Sequence, residues 1–221
     1  MAIALAFIST TAITSSALAS PPRSTDYDST IERALMLEKA GKVDEALAEY
    51  KLAMQADPER AEPLARAAML YMILQKPNLA LSMADLAIKT EPDHRGAWLN
   101  KSVIELSSGM YKEALVTTQR SIKLFPEDTD LMNNMATAQI KLRRLNDAKD
   151  TLLMALKLKP DDSSLNYNLA CTYALSDIRM TALIYLEKAI TLDPSLRERA
   201  RTDPDLKSIR DLKPFKELTT D

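Results

Sequence analysis

Five prolines, Pro58, Pro92, Pro126, Pro160 and Pro194, stand 34 residues apart. Three further columns keep the same spacing: Ala46, Ala80, Ala114, Ala148, Ala182; Ala53, Ala87, Ser121, Ala155, Ala189; and Ala34, Ala68, Ser102, Ala136, Ala170. A period repeated five times means one structural unit used five times, each stacked on its neighbours because none can bury its apolar face alone. The unit is helical. Three glycines in 221 residues and 46% apolar residues rich in Ala, Leu and Met favour helices over strands.

The small residues mark where two antiparallel helices approach closely. The proline cannot extend the second helix, so it ends the unit and sets the turn into the next. The acid or Ser after each proline (Glu59, Asp93, Glu127, Asp161, Ser195) suits turns and helix starts. Ser29-Thr30-Ile31-Glu32 reads as a capping box. Together these columns resemble the tetratricopeptide repeat, a helix–turn–helix unit. The resemblance implies repeats at 27–60, 61–94, 95–128, 129–162 and 163–196, in an all-α, right-handed superhelical solenoid with a C-terminal capping helix. The family's usual aromatic at position 11 of the repeat is replaced here by Glu105 and Gln139 in repeats three and four. Looser packing is expected there.

Residues 197–221 leave the period. Asp203-Pro204 reads as an N-cap followed by proline in the first helical turn. Leu206, Ile209, Leu212, Phe215 and Leu218 form an apolar stripe able to cover the last repeat, as a solenoid end requires. Asn168-Leu169-Ala170-Cys171 with Tyr173-Ala174-Leu175, then Asp203-Pro204-Asp205-Leu206, resemble the segment that closes many bacterial repeat arrays.

Residues 1–19 carry no charged side chain, begin with an apolar run and end in Ala17-Leu18-Ala19. They read as a secretory leader cut before Ser20, with 20–26 as linker. A periplasmic or secreted protein is expected, and a cytoplasmic one if the leader is an artefact of the gene start. A membrane anchor needs about 20 mostly apolar residues, and the Ser/Thr run from Ser9 to Ser16 interrupts this segment.

Chemistry-bearing residues are sparse. One Cys and one His, His94, provide no metal-ligand pair, and no phosphate-binding loop or nucleophile elbow occurs. No metal, no cofactor and no catalysis are expected. Cys171 lacks a nearby activating base, so it reads as a packing residue; His94 reads as a solvated turn residue. The balance of 29 Lys+Arg against 31 Asp+Glu argues against nucleic acid.

The expected partner is a protein or peptide in the concave groove. By the resemblance, first-helix residues line it: Met69, Met72, Leu99, Val103, Leu106, Asn133, Thr137, Lys141 and Tyr167. Met69 and Met72 could equally be inter-repeat core. Asn100, Asn134 and Asn168 are again 34 apart; the resemblance implies that their amides, able to donate and accept, bond a partner's backbone, or else that Asn is simply ordinary at this position of the repeat. The cations of the family's carboxylate clamp for chaperone C-termini are absent at the matching positions. The alternative function is a structural or assembly subunit of an envelope complex (secretion, pilus or polysaccharide export) using its convex face or array ends.

Overall fold

The computed structural model describes residues 26–220. The expected leader lies outside them. Ten helices pair into five hairpins: α1 (Tyr27–Lys39) with α2 (Val43–Ala56), α3 (Glu62–Ile73) with α4 (Pro77–Thr90), α5 (Arg95–Ser107) with α6 (Tyr111–Leu124), α7 (Thr129–Lys141) with α8 (Leu145–Leu158), and α9 (Ser163–Leu175) with α10 (Arg179–Leu192). The tail adds α11 (Leu196–Thr202), a 3-10 helix (Pro204–Ile209) and α12 (Lys213–Thr219). No strand occurs among the described residues.

Each hairpin turns through one left-handed residue. Gly41, Gln75, Gly109, Arg143 and Asp177 have φ between 58° and 74°. The next N–H bonds back to a carbonyl five residues earlier, as in Lys42 to Leu37 (2.9 Å) and Arg144 to Gln139 (2.8 Å). This is the Schellman arrangement, which satisfies the last carbonyls of the first helix. Between hairpins, Asp57, Glu91 and Asp193 are extended because each precedes a proline, which disfavours the helical conformation there.

One capping expectation is corrected, while the acid or Ser after each proline stands in a turn as expected. Asp26, not Ser29, stands at the N-cap of α1, and the Ser29 and Thr30 hydroxyls donate back to its carbonyl at 3.0 and 2.9 Å. Between hairpins, capping falls two residues after the proline. The Asp128 carboxylate accepts from the N–H groups of Asp130 and Leu131, and that of Asp162 from Ser164 and Leu165, all at 3.0 Å. The carboxylate must stand at the N-cap to reach those N–H groups, and the turn after proline takes one residue more.

Every member of the three small-residue columns is 0% exposed. Ser102 and Ser121 fit because their hydroxyls donate to carbonyls of their own helices, Leu99 at 2.8 Å and Thr118 at 3.0 Å. Glu105 and Gln139 are buried, 3% and 5% exposed, and Glu105 Oε2 and Gln139 Oε1 have no hydrogen-bond partner; their hairpins, α5 with α6 and α7 with α8, are the less closely packed of the five, as expected. Successive first helices pack on one another, α3 on α5, α5 on α7 and α7 on α9, and form the inner wall of the solenoid.

Candidate protein-binding groove

The inner wall changes character along its length. At the N-terminal end a cavity of about 240 Å³ opens between α3 and α5, lined by Glu38, Glu62, Arg66, Met69, His94 and Asn100 among others. Arg66 donates to Glu62 at 2.7 Å and reaches Glu38 at 3.4 Å, while the Tyr50 hydroxyl donates to Glu38 at 2.5 Å. Burial would raise the Glu62 carboxyl, but Arg66 and then His94 outweigh it and hold it below the usual range. His94 is no bland turn residue. Its Nδ1 accepts from the Ala97 N–H at 3.1 Å, capping α5. The neutral ring therefore carries its proton on Nε2, 3.1 Å from Glu62.

In the middle of the wall, Leu99 and Val103 are half-buried on α5 and Ile73 is exposed at the end of α3. Met69 and Met72 are half-buried and pack on Ala68, Ala80, Ala84 and Ile104, so both serve the core, and Met69 also lines the cavity. Leu106 packs against Ala114, Leu115 and Ala138.

The asparagine column bridges repeats. Asn100 Nδ2 donates to the Ala65 carbonyl (2.9 Å), Asn134 Nδ2 to Ser102 Oγ (2.8 Å), and Asn168 Nδ2 to Asn133 Oδ1 (2.7 Å) and Thr137 Oγ1 (3.3 Å). Each amide N–H₂ thus ties its helix to the preceding first helix, leaving the amide oxygens of Asn100 and Asn134 as the acceptors that could meet a partner.

At the C-terminal end the groove is covered by the chain itself. The Tyr167 hydroxyl donates to Asp203 at 2.9 Å, Lys141 Nζ to Asp205 at 2.8 Å and the Ser208 hydroxyl to the Ala174 carbonyl at 2.7 Å. The Arg199 guanidinium lies 4.4 Å from the Tyr167 ring centroid. Leu206 and Ile209, both fully buried, join Tyr167, Cys171 and Ala174 in one core. Tyr167, expected on an open groove, is 0% exposed because the tail lies over it. Lys141 is engaged by Asp205: burial alone would lower its pKa, yet the hydrogen bond and charge of that carboxylate hold it above the ordinary lysine value. Cys171 packs as expected, and burial pushes its thiol well up, away from the nucleophilic thiolate.

No group of His, Cys, Asp and Glu able to hold a metal ion occurs among the described residues, and none of the described helices is long and apolar enough to cross a membrane.

Residues 105–169 match the tetratricopeptide repeat family profile. No curated protein matches the chain in sequence. Solved structures share the fold at low identity. MamA residues 41 to the end from Desulfovibrio magneticus RS-1 is 21% identical, covering 76% of this chain and 96% of that one with a TM-score of 0.67. YrrB, described as a tetratricopeptide-repeat protein with an unusual peptide-binding site, is 23% identical, covering 78% and 89% with a TM-score of 0.61. PilF of Pseudomonas aeruginosa is 16% identical, covering 86% and 95% with a TM-score of 0.65. The chain is a tetratricopeptide-repeat solenoid.

Proposed function

We propose that the protein is a non-catalytic scaffold of the bacterial cell envelope that holds a segment of a partner protein in its concave groove, along α1, α3, α5 and α7. The observation that carries this reading is the unequal wall. Its C-terminal end is filled by the chain's own tail, while half-buried Leu99 and Val103 on α5 stand beside the Glu38/Glu62 cavity, which Met69 lines. Such a surface suits a segment whose apolar side chains lie on α3 and α5 and whose basic group faces Glu38 and Glu62, with Asn100 and Asn134 accepting from its backbone. The peptide-binding site ascribed to YrrB supports the same use of the fold.

The test replaces Leu99 and Val103 by Glu, beside a control with Glu at exposed Val116 on α6, and compares partner retention on co-purification. Loss with the groove pair alone supports the proposal; equal retention by all three proteins overturns it. The envelope placement rests on the character of residues 1–19. A mature chain beginning at Ser20 in the periplasmic fraction is expected, and an intact Met1 chain in the cytosol would contradict it.

A further inference from the structure

The last position of the repeat holds His94, Asp128 and Asp162, and each is the N-cap of the helix that follows, α5, α7 and α9. The three side chains do one task. Each accepts from the backbone N–H three residues on, Ala97 at 3.1 Å and Leu131 and Leu165 at 3.0 Å. Their proton chemistry is opposite. A carboxylate caps when it is ionised, whereas an imidazole nitrogen caps only when it carries no proton. Burial would raise the Asp128 carboxyl, but Arg95 and the Leu131 N–H hold it below the usual range. At Asp162 burial is outweighed in the same way by Lys159 and the Leu165 N–H. Both carboxylate caps therefore persist from pH ~8 to ~5, the span in which histidines as a class gain a proton. The α5 cap is built from the residue type that titrates there.

The seat of the ring is shaped for it. A Cβ on Gly96 would lie 3.1 Å from His94 Cε1 and 3.5 Å from Nδ1. Gly41 and Gly109 serve left-handed turns, but Gly96 has no positive φ. Glycine weakens a helix, and here it makes room for the ring over the first turn of α5. The His94 side chain is 19% exposed, within reach of solvent protons. Charged groups face it from several elements. From α3, Glu62 lies 3.1 Å from Nε2, and Arg66 behind it joins Glu62 to Glu38 of α1, which also accepts from the Tyr50 hydroxyl of α2. In the turn before α5, Asp93 precedes it and Glu91 pairs with Arg60 at 3.9 Å. On α5 itself, Arg95 is engaged by Asp128 and Asp130.

We propose that His94 is a proton-operated switch at the seam of α3 and α5. Neutral, it caps α5 through Nδ1, and the two carboxylates of the cavity, Glu38 and Glu62, outnumber the Arg66 guanidinium. Protonated, both ring nitrogens donate. Nδ1–H then meets the Ala97 N–H, donor against donor, and a cation at a helix N-terminus opposes the helix dipole. The cap on α5 is lost, while Nε2–H pairs with Glu62 as an ion pair and cancels the excess negative charge of the cavity. The consequence for a partner rests on the groove reading above: a basic group held at Glu38 and Glu62 is released in acid.

The test reads Trp98, the only tryptophan, which stands at the start of α5 with its indole N–H donating to the Pro92 carbonyl at 2.8 Å. Its emission and the exchange protection of the Ala97 amide are followed in the full chain from pH ~8 to ~5. One transition is expected, with emission shifted to the red and Ala97 protection lower by about tenfold on the acid side, the factor of one hydrogen bond. His94→Asn, a neutral cap, and His94→Asp, the cap of α7 and α9, abolish the transition. His94→Asn carries the test should His94→Asp, beside Glu62, lose its helical circular dichroism. Glu62→Gln removes the anion that favours the imidazolium and moves the midpoint to lower pH. A flat Trp98 profile in the parent chain, a transition that survives in folded His94→Asn, or an unmoved midpoint in Glu62→Gln overturns the switch. Partner retention by the Leu99→Glu, Val103→Glu chain overturns the groove reading and the partner consequence with it, whereas the Trp98 profile decides the switch itself.

Discussion

Glu105 stands where the first, second and fifth hairpins place Leu37, Tyr71 and Tyr173. Burial raises its carboxyl pKa above 4.5, against lowering contributions from Thr117 and Lys101. A carboxyl whose folded value is raised loses stability as pH climbs through that value, so ionised Glu105 weakens the fold at neutral pH. Glu105→Leu is expected to gain about 1–2 kcal/mol at pH 7. Most of that gain should fade below the unfolded value of 4.5, which urea unfolding at pH 7 and pH 4 checks. The left-handed turn residues give a second expectation. Glycine occupies Gly41 and Gly109, but Gln75 and Arg143 adopt the same φ with a Cβ. Gln75→Gly and Arg143→Gly should each raise stability by about 0.5–1 kcal/mol, the strain relieved less the backbone freedom lost. The two glycines, 68 residues apart, were a visible sign of this turn. The capping role of His94 was not, because it depends on which ring nitrogen faces the Ala97 N–H.

Among the elements, the tail carries the most consequence. Its apolar stripe and the Asp203-Pro204 start were legible from spacing alone. The Asp203 carboxylate accepts from Asp205 N–H at 2.9 Å, as that start requires. Its position on the inner wall was not legible, because periodicity states which side chains are buried and not which neighbour buries them. That position follows from Asp203, Asp205 and Ser208 meeting Tyr167, Lys141 and the Ala174 carbonyl across at least 34 residues of chain. Leu206→Ala, in a fully buried seat, should cost about 2–4 kcal/mol in the last hairpin. It should also expose Cys171. Alkylation of that thiol by iodoacetamide under native conditions is expected to be slow in the parent chain and markedly faster in the variant. Equal rates would mean the tail does not shield the inner face of α9.

Over the whole molecule the architecture was legible because four columns in one register admit one repeating unit, and each column has a physical task that the fold bears out. The groove was legible only as a face. Which part of it stays open depends on contacts distant in sequence, and the asparagine column looks the same whether its amides hold a partner or the preceding helix. Here each N–H₂ group holds the preceding first helix. Replacing all three by Ala should therefore lower stability, by about 1 kcal/mol per lost bond in thermal unfolding. This makes the triple variant a poor probe of binding by itself. The central claim is better tested by a photo-crosslinking side chain placed in turn at Val103, on the open inner wall, and at Val116, exposed on α6, in the full chain in cells. A partner trapped from Val103 and not from Val116 is the predicted result. A partner trapped from Val116 with nothing at Val103 would contradict the account and move binding to the outer face.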